Sequence, residues 1–197
     1  MKIYCETDYS NMNFGQLERI ARDENTTSEV LTELFNKYPR NLSGYIARNP
    51  NTPEAILWEL AHCDDFLIRA GIACNPSTST AILEYLSKDP VDYVREAVVT
   101  NENTSEATIR ELVFDPAWSV RALAVCNVNM PEDLYDIMVT DPCYDVVYNL
   151  ARYSNCPRYI LEQLVDLYAD INGHNPIGDW AQPRLDTWDA EHSEGES

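Results

Sequence analysis

Three histidines, six cysteines and a large excess of carboxylates are the residues of this chain that could do chemistry. Histidine and cysteine could hold a metal or pair a nucleophile with its base, and adjacent carboxylates could share a proton. Their spacing supports none of these. His62, His174 and His192 fall in no metal-binding pattern, and Cys5, Cys63, Cys74, Cys126, Cys143 and Cys156 include no CxxC pair. No glycine-rich phosphate loop and no nucleophile elbow occurs. Asp64-Asp65 and Glu132-Asp133 are adjacent acids, but both fall at expected helix starts, where the helix dipole accounts for them. The reading is a protein that is not an enzyme and that holds no cofactor and no metal.

Charge is the more informative property. Fourteen basic residues stand against 33 acidic ones, a formal net charge of −19. Such a chain repels nucleic acid and anionic membranes and attracts basic proteins. No apolar stretch approaches the roughly 18 residues that span a bilayer. The segment Met1-Lys2-Ile3-Tyr4-Cys5 runs straight into polar residues, which reads as no secretory leader. Cysteines without evident pairs suit reduced thiols in a cytoplasmic protein.

The elements that position these charges recur. Asn25, Asn51, Ser77, Asn103, Asn129 and Asn155 lie 26 residues apart, and each opens the pattern clearest in Asn49-Pro50-Asn51-Thr52-Pro53-Glu54-Ala55-Ile56-Leu57. A period of this size marks stacked repeats. Each unit reads as two short helices. The first carries Ile56, Leu57, Leu60 and Ala61 on one face, matched by Val30, Leu31, Leu34 and Phe35 and by Ile82, Leu83 and Leu86. Thr52, Thr78 and Thr104 read as its N-caps. The second starts at Asp89-Pro90, Asp115-Pro116 or Asp141-Pro142, with aspartate as cap. It buries Val94, Ala97 and Val98, or Val120, Leu123 and Ala124. It ends at Asn75, Asn101 or Asn127, a residue type that tolerates left-handed backbone.

Asp89 and Arg95 are six apart, as are Asp115 and Arg121, and Arg69 shares the arginine position. Stacking would align these side chains into a structural Asp–Arg ladder between successive second helices. The motif Asn-Pro-Asn-Thr-Pro-Glu, then Ile-Leu-x-x-Leu, then Asp-Pro-x-x-x-Val-Arg resembles the leucine-rich repeat variant family, and its last part is similar to the second helix of HEAT repeats. The resemblance covers roughly residues 25–165. It implies an all-α fold: a right-handed α-solenoid of about five to six two-helix repeats, with the segment before residue 25 as a capping helix. Residues 1–171 would form this domain and the acidic residues 172–197 a mobile tail. An iron–sulfur cluster occurs in one member of that family, on a cysteine-rich leader. Only Cys5 stands in that region here, which does not support one.

Two surfaces follow. Glu54, Glu59, Glu84, Glu106, Glu111, Glu132, Asp133 and Asp136 take polar positions on successive first helices, about 8–10 Å apart if the helices stack. Phe66, Trp118 and Tyr144 share a position in the first turn of the second helix, either as an outward ridge or as wedges between repeats. The expected function is a non-enzymatic module that binds a basic protein. Its sharpest form is a nucleic-acid mimic that inhibits a nucleic-acid-binding protein or defence complex. An adaptor that uses the aromatic ridge or the tail is the alternative, and a HEAT-like DNA glycosylase is disfavoured by the missing cationic groove.

Overall fold

The computed structural model describes residues 9–152, 156–168 and 177–192. Among these it is all-helical, without strands. Two compact units divide the chain, Met1–Thr104 and Ser105–Ser197. The first holds α1 (Phe14–Arg22), α2 (Ser28–Lys37), α3 (Ser43–Arg48), α4 (Glu54–Ala61), α5 (Phe66–Ala73), α6 (Thr80–Leu86) and α7 (Asp92–Thr100). The second holds α8 (Glu106–Leu112), α9 (Trp118–Ala124), α10 (Tyr135–Met138, entered through a 3-10 turn), α11 (Tyr144–Arg152), α12 (Arg158–Leu167) and α13 (Gly178–His192).

Helices this short are unstable in isolation, so their buried faces must hold them. In the first unit the 26-residue period is visible as packing. α1, α3, α5 and α7 each neighbour the next of their kind, and α4 neighbours α6. The expected faces of α2, α4 and α6 are buried, including Leu31, Leu34, Leu57, Ile82, Leu83 and Leu86. Each such side chain contributes roughly 1.5–3 kcal/mol. The α1–α7 set buries small residues, Ala21, Ala47, Ala70, Ala73 and Ala97, which lets these helices approach closely. α1 opens on Asn13, which forms a capping box with Gln16.

Polar side chains fix the register between repeats, in a way that revises several expected roles. Of the asparagines expected to take left-handed backbone, Asn101 does not (φ −82°, ψ 126°), nor does its equivalent Asn49 (φ −77°, ψ 127°). Their buried side chains reach back one repeat instead. Asn75 donates to the carbonyls of Ala47 (2.8 Å) and Asn49 (2.8 Å), while its Oδ1 accepts from Ser77 N (2.9 Å). Asn49 donates to Ala21 O (2.8 Å) and Asp23 O (3.0 Å), and Asn101 to Ala73 O (2.7 Å) and Asn75 O (3.0 Å). Each amide thus has both N–H groups and its oxygen satisfied, at carbonyls where the preceding helix of the same kind ends.

The threonines are not N-caps either. Caps fall one residue later, at Thr27, Pro53, Ser79 and Ser105. The threonine hydroxyls are donors: Thr26 to Ile20 O (2.6 Å), Thr52 to Ile46 O (2.5 Å), Thr78 to Ile72 O (2.6 Å) and Thr104 to Val98 O (2.6 Å). Asp89 and Asp115 also sit outside the cap position, which Val91 and Ala117 occupy. Asp89, Asp115 and Asp141 instead accept from the backbone two residues on, at 2.9, 2.8 and 2.8 Å. This short Asx turn leaves carboxylate oxygen available to arginine at Asp89 and Asp141. On α9 the buried residues are Val120, Ala122 and Ala124. Asn149 of α11 donates to Ala122 O (2.6 Å), so that side of α9 meets α11 and Leu123 is only half-buried.

The expectation of a mobile tail from residue 172 is corrected over 178–192, which is the helix α13 packed on α11 and α12. Ala181 and Leu185 are buried. Arg184 donates to Leu150 O (3.1 Å) and Ala151 O (2.9 Å), capping the end of α11. An acidic composition concealed this helix, because its buried side is narrow. Leu185→Ala should lower the stability of Ser105–Ser197 by roughly 2–4 kcal/mol. Denaturation followed by the fluorescence of Trp180 and Trp188 measures this, and an undocked helix would show no loss.

Candidate functional site

Among the described residues no cluster of three or more His, Cys, Asp or Glu could hold a metal. Burial pushes the Cys126 thiol up to about 11 and the Cys156 thiol up to about 12, so both stay protonated at neutral pH. His62 Nδ1 lies 2.7 Å from Trp58 O, and its ring stacks loosely on Tyr85 at 4.8 Å. Beside it lies an open cleft of about 530 Å³ that includes Cys63, Asp64, Arg69, Lys88 and Asp89. His174 lies outside the described residues, and so does the side chain of His192.

Arg69 in that cleft is committed to structure. Its Nε and Nη2 make a bidentate pair with Asp89, at 2.6 and 2.9 Å, and its Nη1 donates to Cys63 O (2.8 Å) and Asp64 O (3.0 Å). Arg121 repeats this with Asp141 (2.7 and 3.0 Å) and Asp115 O (2.9 Å). Arg95 donates to Asp89 O (2.8 Å). An arginine therefore holds the carbonyl six residues before it, and Arg69 and Arg121 also hold the carboxylate twenty residues after. The spacing of six, read as an Asp–Arg ladder, corresponds to the backbone contact. Asp141 was not anticipated as a ladder member, although the distance from Arg69 to Asp89 recurs between Arg121 and Asp141. Burial raises the Asp89 and Asp141 carboxyls, but hydrogen bonds from arginine and backbone, with the arginine charge, outweigh it and hold both below the ordinary value.

The eight surface acids are all exposed. Seven of them fall into rows by repeat position: Glu54, Glu106 and Glu132; Glu59 and Glu111; Glu84 and Asp136. Asp133 stands apart, and Glu33 and Glu162 extend the second and third rows. Some are partly offset. Arg110 contacts Glu106 (3.1 Å) and Asp133 (2.6 Å), Lys88 lies 3.9 Å from Glu84, and Arg158 lies 3.1 Å from Glu162. Glu54 accepts from Ser79 (2.7 Å) and Asp136 from Gln163 (3.2 Å). Glu59, Glu111 and Glu132 make no ion pair among the described residues.

Phe66, Trp118 and Tyr144 are 39%, 52% and 53% exposed, which places them on the surface and not as wedges. In the first unit Phe66 meets Tyr93 edge-on, with ring centres 6.2 Å apart. In the second, Tyr144 stacks on Tyr148 (6.0 Å), and Tyr148 meets Trp180 edge-on (5.9 Å). The Arg152 guanidinium lies 5.3 Å from the Tyr148 ring and 5.1 Å from that of Trp180. No helix among the described residues is long and apolar enough to cross a membrane. Compared with known proteins, the chain matches no family model, no curated protein and no solved structure.

Proposed function

We propose that the chain is a right-handed α-solenoid of 26-residue helix pairs that acts without catalysis, as a cytoplasmic module binding a basic protein. The observation that carries this is the recurrence of exposed carboxylates at fixed repeat positions, with Glu59, Glu111 and Glu132 lacking any ion-pair partner among the described residues. Within each compact unit, equivalent side chains on stacked repeats form a shared charged surface instead of isolated ions. A rigid negative surface of this kind can occupy a cleft built for nucleic acid, whose phosphates repeat at about 3.4 Å per strand. A nucleic-acid mimic that inhibits such a protein is the sharpest form of the reading.

Long-range attraction should speed association and weaken as salt shortens the Debye length from about 30 Å at 0.01 M to about 3 Å at 1 M. Pull-downs with the wild type and with Glu59→Lys/Glu111→Lys/Glu132→Lys test this. Basic proteins captured at low salt should be lost at high salt, and the triple variant should bind at least about tenfold more weakly, about 1.4 kcal/mol. Capture indifferent to both changes would refute the electrostatic reading. The exposure of Phe66, Trp118 and Tyr144 favours a second reading, an adaptor gripping its partner through aromatic residues. Trp118→Ala would then weaken capture more than the charge reversals do.

A further inference from the structure

The first turns of α5 and α7 join an exposed aromatic pair to exposed acids. Phe66 is preceded by Asp65, and Tyr93 by Asp92. Tyr93 is 50% exposed, and Leu67 beside Phe66 is 49% exposed. One oxygen of each carboxylate is used locally, Asp65 accepting from Leu67 N (2.9 Å) and Asp92 from Tyr93 N (2.8 Å). Neither acid makes an ion pair among the described residues.

Five aromatic rings of this chain lie under its own cations, whereas other exposed rings such as Trp118 and Tyr144 do not, among the described residues. Arg22 lies over Tyr45 at 5.9 Å, Lys37 over Tyr38 at 5.8 Å, Arg152 over Tyr148 and Trp180, and Arg158 over Trp188 at 5.5 Å. Phe66 and Tyr93 carry none among the described residues. The nearby cations are engaged: Arg69 holds Asp89, Arg95 holds the Asp89 carbonyl, and Lys88 lies by Glu84. Aromatic faces are electronegative, and carboxylates at their margin add to the attraction for a cation. A flat guanidinium stacks on such rings and bonds carboxylate oxygen together, which a compact ammonium does less well.

We propose that Phe66 and Tyr93, flanked by Asp65 and Asp92, form the docking point for an arginine side chain of the basic protein partner. This rests on the reading that the partner is basic, and it names where one of its arginines is held. The rings supply the faces, the two carboxylates supply the charge, and Leu67 covers the aliphatic stem.

The test is fluorescence anisotropy with a labelled peptide of six arginines at low salt. Four proteins are compared: wild type, Phe66→Leu/Tyr93→Leu, Asp65→Asn/Asp92→Asn and Glu59→Gln/Glu111→Gln. Asparagine still caps a helix, so the aspartate changes remove charge without removing the α5 cap. Circular dichroism checks that each variant keeps its helices. The aromatic double variant should weaken binding roughly 5- to 30-fold. The aspartate pair should weaken it more than the remote glutamate pair, although both lose two charges. Equal binding by the aromatic variant, or equal losses from the two acid pairs, would overturn the site while leaving the acidic-surface reading intact. No binding by the wild type would overturn both.

Discussion

Arg69→Met alone should destabilise the protein by about 3–5 kcal/mol, because it strands a buried carboxylate. The Arg69 and Asp89 side chains are 11% and 5% exposed, and two direct hydrogen bonds join them. Arg69→Met/Asp89→Leu should recover most of that loss, since no unpaired ion remains. The sequence already contains this experiment. One repeat earlier, the equivalents of Arg69 and Asp89 are Ser43 and Cys63; one repeat after Arg121 and Asp141, they are Val147 and Leu167. Both charges are present or both are absent. The pair also sets an acid sensitivity. The Asp89 and Asp141 carboxyls are held below their ordinary value in the folded state, so their contribution is present above the unfolded carboxylate range. It is lost as pH falls through the folded values. Urea titrations at neutral and acid pH should show the cost of Arg69→Met shrinking in acid, as Asp89 protonates. A cost that does not change with pH would mean the pair is not ionic.

Asn75→Ala should cost about 2–4 kcal/mol. It leaves the Ala47 and Asn49 carbonyls and Ser77 N without the partners that now hold them. Asn75→Asp separates the donors from the acceptor. It keeps an oxygen for Ser77 N but sets a carboxylate against two carbonyls, so desolvation and repulsion raise its carboxyl above the ordinary value. Its stability should therefore be higher at low pH and fall as pH rises through the raised value, opposite in sign to the Asp89 dependence. The exposed Asn41 is the control; Asn41→Ala should stay within about 0.5 kcal/mol of wild type. Thermal or urea unfolding of the three variants across pH reads all of this.

The apolar faces were legible because a helix must place them at intervals of three and four, and Leu31, Leu57 and Leu83 are buried where that spacing puts them. What was not legible is how polar residues act between repeats. Asn75, Thr78 and Asp89 each have a familiar local role at a helix end, and sequence preferences point only to those roles. Their actual partners lie 28, 6 and 20 residues away, and preferences for local caps are silent about contacts that arise only when units pack. The helix α13 was hidden for a related reason. A buried side of Ala181 and Leu185 is too narrow to show against many acids, and Arg184 capping α11 is a tertiary contact. The rows of surface acids were legible from period alone. The offset of Asp133 by Arg110 needed coordinates, since it joins residues 23 apart in sequence, whereas Glu106 is paired with Arg110 four residues on within α8.

Everything proposed for the surface depends on successive 26-residue units being locked in register by Asn49, Asn75 and Asn101. Solvent exchange of asparagine side-chain amides, followed by NMR, tests that lock most directly. The amides of Asn49, Asn75 and Asn101 should exchange far more slowly than that of the exposed Asn41, and should lose protection together as the first unit unfolds. Exchange of the three as fast as Asn41 would contradict the register of the first unit and, with it, the repeat stacking on which the surface reading rests.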